Sequence, residues 1–135
     1  MSMNFTWPVR VYYEDTDVAG VVYYANYLKF MERARTEWLR SIGVDQTRLL
    51  EEGLLFVILS TNVNFLKPAR FNDLLRVTCE VIEHTRTSFS FTQEIFREDS
   101  DGELLVEGQA RAACLDAKSF RPRRLPSTIV AEVTR

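Results

Sequence analysis

Apolar and polar residues alternate in "VRVYYE" near the start of the chain. Val9, Val11 and Tyr13 fall on one side, and Arg10, Tyr12 and Glu14 on the other. A period of two sends successive side chains to opposite faces of a strand, so a strand is expected over residues 5–14. From residue 26 to 42 the period lengthens. Tyr27, Phe30, Met31, Ala34, Trp38, Leu39 and Ile42 recur at threes and fours, with Lys29, Glu32, Arg33, Arg35, Glu37 and Arg40 between them. That spacing predicts an amphipathic helix, with Asn26 as its N-cap and Gly43 as its stop. A short helix is expected at "QTRLLEEG". Four strand-like runs follow, over residues 54–65, 74–83, 88–97 and 103–115. "SDG" at 100–102 signals a hairpin turn, while "KPARFND" at 67–73 and "HTRTS" at 84–88 read as connections or strand ends. A last short helix is expected at "STIVAEV".

The order is strand, long helix, then four strands, the last three as a meander. This predicts an α+β domain, with a curved antiparallel sheet of about five strands wrapped around one central helix. No repeat or linker divides the chain, so residues 1–135 are read as one domain. One helix leaves its own flanks incompletely covered in so short a chain, and a second subunit is the natural cover.

The chain has 135 residues, a net charge of −2 and a pI of about 5.5. The lack of a basic surplus argues against general nucleic-acid binding. No apolar run is long enough to span a membrane, and "MSMNFTWPVR" does not read as a secretory leader. Cys79 and Cys114 each fall within a strand-like run and read as small core residues. Neither belongs to a short-spaced pair, so no zinc site is expected. Together these features point to a cytoplasmic protein.

The chemistry concentrates in "YYEDTDVAGVVYYANYLKFMERART" at 12–36, where Asp15 and Asp17 precede the helix. A calcium loop beginning at Asp15 places Asp17 and Gly20 correctly, but puts Ala19 and Asn26 where oxygen ligands belong. No metal is expected there. Asp15, followed by Thr16, suits a turn carboxylate bonding nearby amides. Asp17 admits two readings. It too can serve a turn, or it can supply a carboxylate beside helix-terminal amides able to hold an oxyanion, the minimal equipment for acyl hydrolysis. Other equipment is scarce. His84 is the one histidine and lies at a strand end, and no nucleophile elbow, P-loop or dinucleotide fingerprint occurs.

This opening segment resembles the motif of the hot-dog-fold acyl-CoA thioesterases. The match is to the 4-hydroxybenzoyl-CoA thioesterase (4HBT) family, and within it to the Tol–Pal-associated, YbgC-like subfamily. "NFLKPARFNDLL", "TRTSFSFTQEI" and "RPRRLPSTIVAE" resemble later segments, so the likeness covers nearly the whole chain. It implies a hot-dog fold and hydrolysis of an acyl-CoA thioester to a free acid and coenzyme A. It implies dimers with interface active sites, often paired into homotetramers, and no cofactor beyond the coenzyme A of the substrate. The resemblance makes Asp17 the nucleophile or general base and the Tyr24 backbone N–H the oxyanion donor, with Tyr13 lining the site. Tyr13 also admits a reading as a core strand aromatic. The subfamily commonly has histidine where this chain has Tyr24; the hydroxybenzoyl branch has tyrosine there.

Coenzyme A carries phosphates that cations would hold. Lys67, Arg70, Arg86 with Thr87 and Ser88, and the "RPRR" run with Arg121, Arg123 and Arg124 are candidates. The resemblance favours Arg86–Ser88, then Arg70; an ordinary solvated face is the alternative for each. A non-catalytic acyl-CoA or acyl-carrier module and a hot-dog dehydratase are the competing functions. Short-chain aliphatic acyl groups are the first expectation. A Tol–Pal or lipid-synthesis partner follows from the subfamily likeness alone.

Overall fold

The computed structural model describes residues 5–98 and 102–134. Its elements are β1 (Phe5–Arg10), α1 (Asn26–Ser41), α2 (Gln46–Glu51), β2 (Leu54–Phe65), β3 (Leu74–His84), β4 (Ser88–Arg97), β5 (Glu103–Asp116) and α3 (Ser127–Val133). The strands form one antiparallel sheet in the order β1-β3-β4-β5-β2. The β3–β4–β5 meander is as the sequence predicts, and the hot-dog arrangement is present. The expected turn at Ser100 and Asp101 lies outside the described residues.

Helix α1 lies on the inner face of the sheet, and its apolar stripe fills a core in two parts. Tyr27, Phe30, Met31 and Ala34 pack with Val9, Leu75, Val77, Ile95, Leu105 and Val106. About one turn further on, Trp38 and Leu39 pack with Cys79, Phe89, Phe91, Cys114 and Ile129. Helix α1 packs against the sheet at Gly108, where an added Cβ would sit 3.2 Å from Met31 Cε and 3.1 Å from the Asn62 carbonyl. Gly43 takes φ +88° beyond the helix end, a conformation only glycine adopts freely, and so serves as the stop. Asp45 then caps α2 by accepting from the Thr47 amide at 2.9 Å.

Two local expectations are corrected. The first strand ends at Arg10, and Tyr13–Asp15 form a 3-10 turn. The alternation runs on into that turn, so Val11 is buried while Tyr13 stands 75% exposed, not in the core. Asn26 is not the N-cap; Ala25 holds that position without a side-chain bond. Asn26 instead donates through Nδ2 to the Asp15 carbonyl at 2.9 Å, tying the helix start to the turn. Among the described residues no helix is long and apolar enough to cross a membrane.

Candidate active site

The segment between the 3-10 turn and α1 folds back on itself. Asp15 Oδ2 accepts from the Tyr12 amide at 2.8 Å, so this carboxylate is a turn acceptor. Thr16 bridges Val22, and the Asp17 amide donates to the Val21 carbonyl at 2.9 Å. Gly20 takes φ +81° and closes the reversal, its amide donating to the Asp17 carbonyl. Asp17 Oδ1 accepts from the Ala19 amide at 2.9 Å. Among the described residues its other oxygen has no donor, and the residue is exposed. One Asp17 oxygen thus fixes the turn, and the other is left open.

The start of α1 faces the same segment. Asn26, Tyr27 and Leu28 amides donate to the carbonyls of Tyr23, Tyr24 and Ala25. The Tyr24 and Ala25 amides have no acceptor among the described residues. These open donors lie at the entry to the 16-residue α1, with the positive end of its dipole behind them. Aromatic rings surround the spot. Tyr23 and Tyr24 lie 4.9 Å apart, and Tyr24 meets Phe65 edge-on at 5.9 Å. The neighbouring Tyr24 hydroxyl, then burial and the Asp17 charge, hold the Tyr23 phenol above its ordinary value. Asp17 also raises Tyr27, whose upward shift comes chiefly from burial.

A second segment braces this one. Val22 donates to the Ala69 carbonyl at 2.8 Å, and Val21 bridges Arg70. Lys67 lies near this end but its ammonium is paired with Glu103 at 2.8 Å. Arg70 is exposed and has no ion-pair partner among the described residues. Tyr13 stacks on Phe71 beside the turn.

The remaining predicted residues lie elsewhere. Arg86, Thr87 and Ser88 form the β3–β4 turn, at the end of β3 remote from Asp17. Ten residue steps along β3 separate the two ends, about 33 Å at strand spacing. Arg86 is exposed and lines an open groove of about 830 Å³ with His84, Arg124, Leu125 and Val130. Thr87 spends its carbonyl on the Cys114 amide. Ser88 is buried, its hydroxyl 2.7 Å from that of Thr85 and accepting from Arg111. Arg123 is tied to Asp116 at 3.0 Å. One chain therefore brings Asp17, Tyr24, Tyr13, Arg70 and Lys67 to one end and Arg86, Thr87, Ser88 and Arg123 to the other. Sequence reasoning missed Tyr23 and Phe71, aromatic neighbours whose only signal was their place in an unusually aromatic loop.

The thioesterase superfamily (4HBT) profile matches residues 19–103. The chain belongs to that family. It is 45% identical to the acyl-CoA thioester hydrolase YbgC of Escherichia coli O6:H1, over 95% of this chain and 94% of the relative. It is 41% identical to the acyl-CoA thioesterase YbgC of Haemophilus influenzae, over 95% and 93%. Among solved structures it is similar to Slr0204, a 1,4-dihydroxy-2-naphthoyl-CoA thioesterase from Synechocystis, with a TM-score of 0.91, 26% identity and coverage of 98% and 96%. The 4HBT match begins two residues after Asp17, so the carboxylate's role rests on the geometry of this chain.

Proposed function

We propose that this thioesterase hydrolyses an acyl-CoA thioester through Asp17 and the open amide of Tyr24. Thioester hydrolysis itself follows from the family and from the relatives 45% and 41% identical. The observation that carries the assignment is an Asp17 oxygen without a donor in the same loop as the Tyr24 and Ala25 N–H groups, which have no acceptor at the entry to α1. The thioester oxygen sits on the Tyr24 amide, which stabilises the charge that develops there. Asp17 takes a proton from the attacking water, or attacks the carbonyl itself and is then released by water. The C–S bond breaks, and the products are a carboxylic acid and coenzyme A. So written, the reaction uses no metal or redox cofactor.

The separation of the two sets of residues supports a homodimer. β2 is an edge strand whose residues Ile58 and Phe65 are 45% and 49% exposed, and Leu28 of α1 is 41% exposed. Antiparallel pairing of β2 with its copy would set the partner's first β2 residues, and with them its β3–β4 turn, beside this chain's Asp17. Arg86 and the open groove around it would then serve the phosphates of the neighbour's substrate, with Arg70 closer to the thioester. Pairing of dimers into a tetramer is compatible with this edge use. Two free buried cysteines suit a cytoplasmic setting. A Tol–Pal or lipid-synthesis partner has no support beyond the subfamily likeness.

The test is thiol release from acyl-CoAs running from acetyl to palmitoyl, with benzoyl and 4-hydroxybenzoyl included, for the wild type and Asp17→Asn. The wild type is expected to turn over and the folded variant to lose on the order of 10³-fold in kcat. Short-chain acyl groups are the expected best substrates. Binding without turnover by the wild type would replace the enzyme with an acyl-CoA-binding module.

A further inference from the structure

Arg97, at the end of β4, is an arginine whose side chain is only 12% exposed. Its guanidinium makes three separate attachments. One Nη pairs with Asp73 Oδ2, the other donates to the Pro68 carbonyl at 2.9 Å, and Nε donates to Glu103 Oε1 at 3.1 Å. The first two hold both ends of the 68–73 segment. Asp73 tightens it further, its Oδ2 also accepting from the Arg70 amide at 2.8 Å. Within the segment Ala69 is fully buried, its amide donating to Tyr27 Oη at 3.0 Å. The opposite edge of Ala69 and Arg70 receives Val22 and Val21. Val21 accepts the Asp17 amide, and Val22 is two residues from Tyr24.

We propose that Arg97 is a positioning residue for hydrolysis, acting through the 68–73 segment on the spacing between the Asp17 carboxylate and the Tyr24 amide. This rests on Asp17 being the catalytic group. Displacements of about 1 Å in a reacting pair can cost about 10²-fold in rate. The loop carrying Asp17 is bonded mostly within itself and to the start of α1. Its outer face is exposed, and its attachment to the sheet side runs through Val21 and Val22 to Ala69 and Arg70. The braced segment is the wall it leans on. A rigid planar guanidinium suits this task, because it holds a carboxylate and a carbonyl at once where an ammonium is a point charge. Tyr27 braces the same wall from the helix side, so the two contacts act in series on one loop.

The experiment compares Arg97→Gln, Arg97→Lys, Tyr27→Phe and the Arg97→Gln/Tyr27→Phe double variant with wild type and Asp17→Asn. It uses the full chain, steady-state thiol release and amide hydrogen exchange. Arg97→Gln is expected to lower kcat on the order of 10²-fold with KM within about twofold. The amides of Asp17, Gly20 and Val22 should exchange faster while those of β4 and β5 keep their rates. Arg97→Lys should recover part of kcat, and the double variant should lose little more than Arg97→Gln alone, as expected for one shared path. A rise in KM at constant kcat would overturn the proposal by making Arg97 a substrate contact. So would unchanged kcat, exchange accelerated evenly across the sheet, or additive losses. Should Arg97→Gln fail to fold, Arg97→Lys and Tyr27→Phe carry the same readouts. Retention of activity by Asp17→Asn would instead sink the underlying site assignment, whatever the Arg97 variants do.

Discussion

The rings of Tyr13 and Phe71 lie face to face, 3.8 Å between centroids with their planes 4° apart. Tyr13 comes from the turn before Asp17, and Phe71 from the segment that braces it. The stack therefore joins the loop that carries Asp17 to the segment that braces it, on their solvent side. Such pairs contribute about 0.5–1.5 kcal/mol. Tyr13→Phe keeps the stack and should retain kcat within about twofold, whereas Tyr13→Ala should lower it about tenfold, an amount of the same order as the lost stack. Equal losses in both variants would assign the role to the hydroxyl instead of the ring.

Gly108 leaves no room for a side chain between sheet and helix, and its substitution should be felt in stability. A Cβ there meets backbone oxygen at 3.1 Å and Met31 at 3.2 Å, and the γ carbons of valine would press further into the helix. Gly108→Val should cost about 2 kcal/mol through overpacking, read as a shift in the denaturant midpoint at unchanged slope. A variant as stable as wild type would show that the helix can withdraw freely.

Neither cysteine should react in the folded protein at neutral pH. Burial pushes the Cys79 thiol up to about 12 against the opposing charge of Arg35, and pushes Cys114 up as well. The thiolate is the reactive form, and both side chains are buried. A colorimetric thiol reagent should therefore find none of the two in native protein and both after unfolding. Fast native labelling of either would contradict the packing around it.

Acid should loosen the Asp17 end through Glu103. Hydrogen bonds from Lys67 and then Arg97 hold this carboxyl below its ordinary value. The unfolded chain then binds the proton at higher pH than the folded one. The stabilisation is complete above the unfolded value, about 4.3, and is lost as pH falls through the lower folded value. The melting temperature should drop below about pH 4.3, and Glu103→Gln should flatten that drop. An unchanged slope in the variant would place the acid sensitivity at other carboxylates, Asp116 first, which amides of Ser119 and Lys118 hold low in the same way.

The helix and the meander were legible because burial imposes a period, and six of the seven apolar positions assigned to α1 are buried. The period misled at Tyr13, where alternation outlasts the strand and backbone bonds of the turn decide. Asn26 has the right chemistry for a cap, but its amide finds a better acceptor in Asp15 across the loop. Asp17 stood out by its setting. Arg97 did not, since nothing in a strand-end arginine announces that its partners lie 24 and 29 residues away. The distance between Arg86 and Asp17 depended on strand length and order together, so a list of candidate cations could not reveal that they occupy opposite ends.

That separation has a genetic consequence. In the proposed pairing of β2 edges, Asp17 of one chain and Arg86 of its copy serve one substrate, which permits rescue between two damaged copies. Asp17→Asn and Arg86→Ala chains, each nearly inactive alone, should regain activity when unfolded and refolded together. Mixed pairs would hold one site with both defects and one with neither, restoring roughly a quarter of wild-type turnover. Two alleles of this locus, each null by itself, would then complement in one cell.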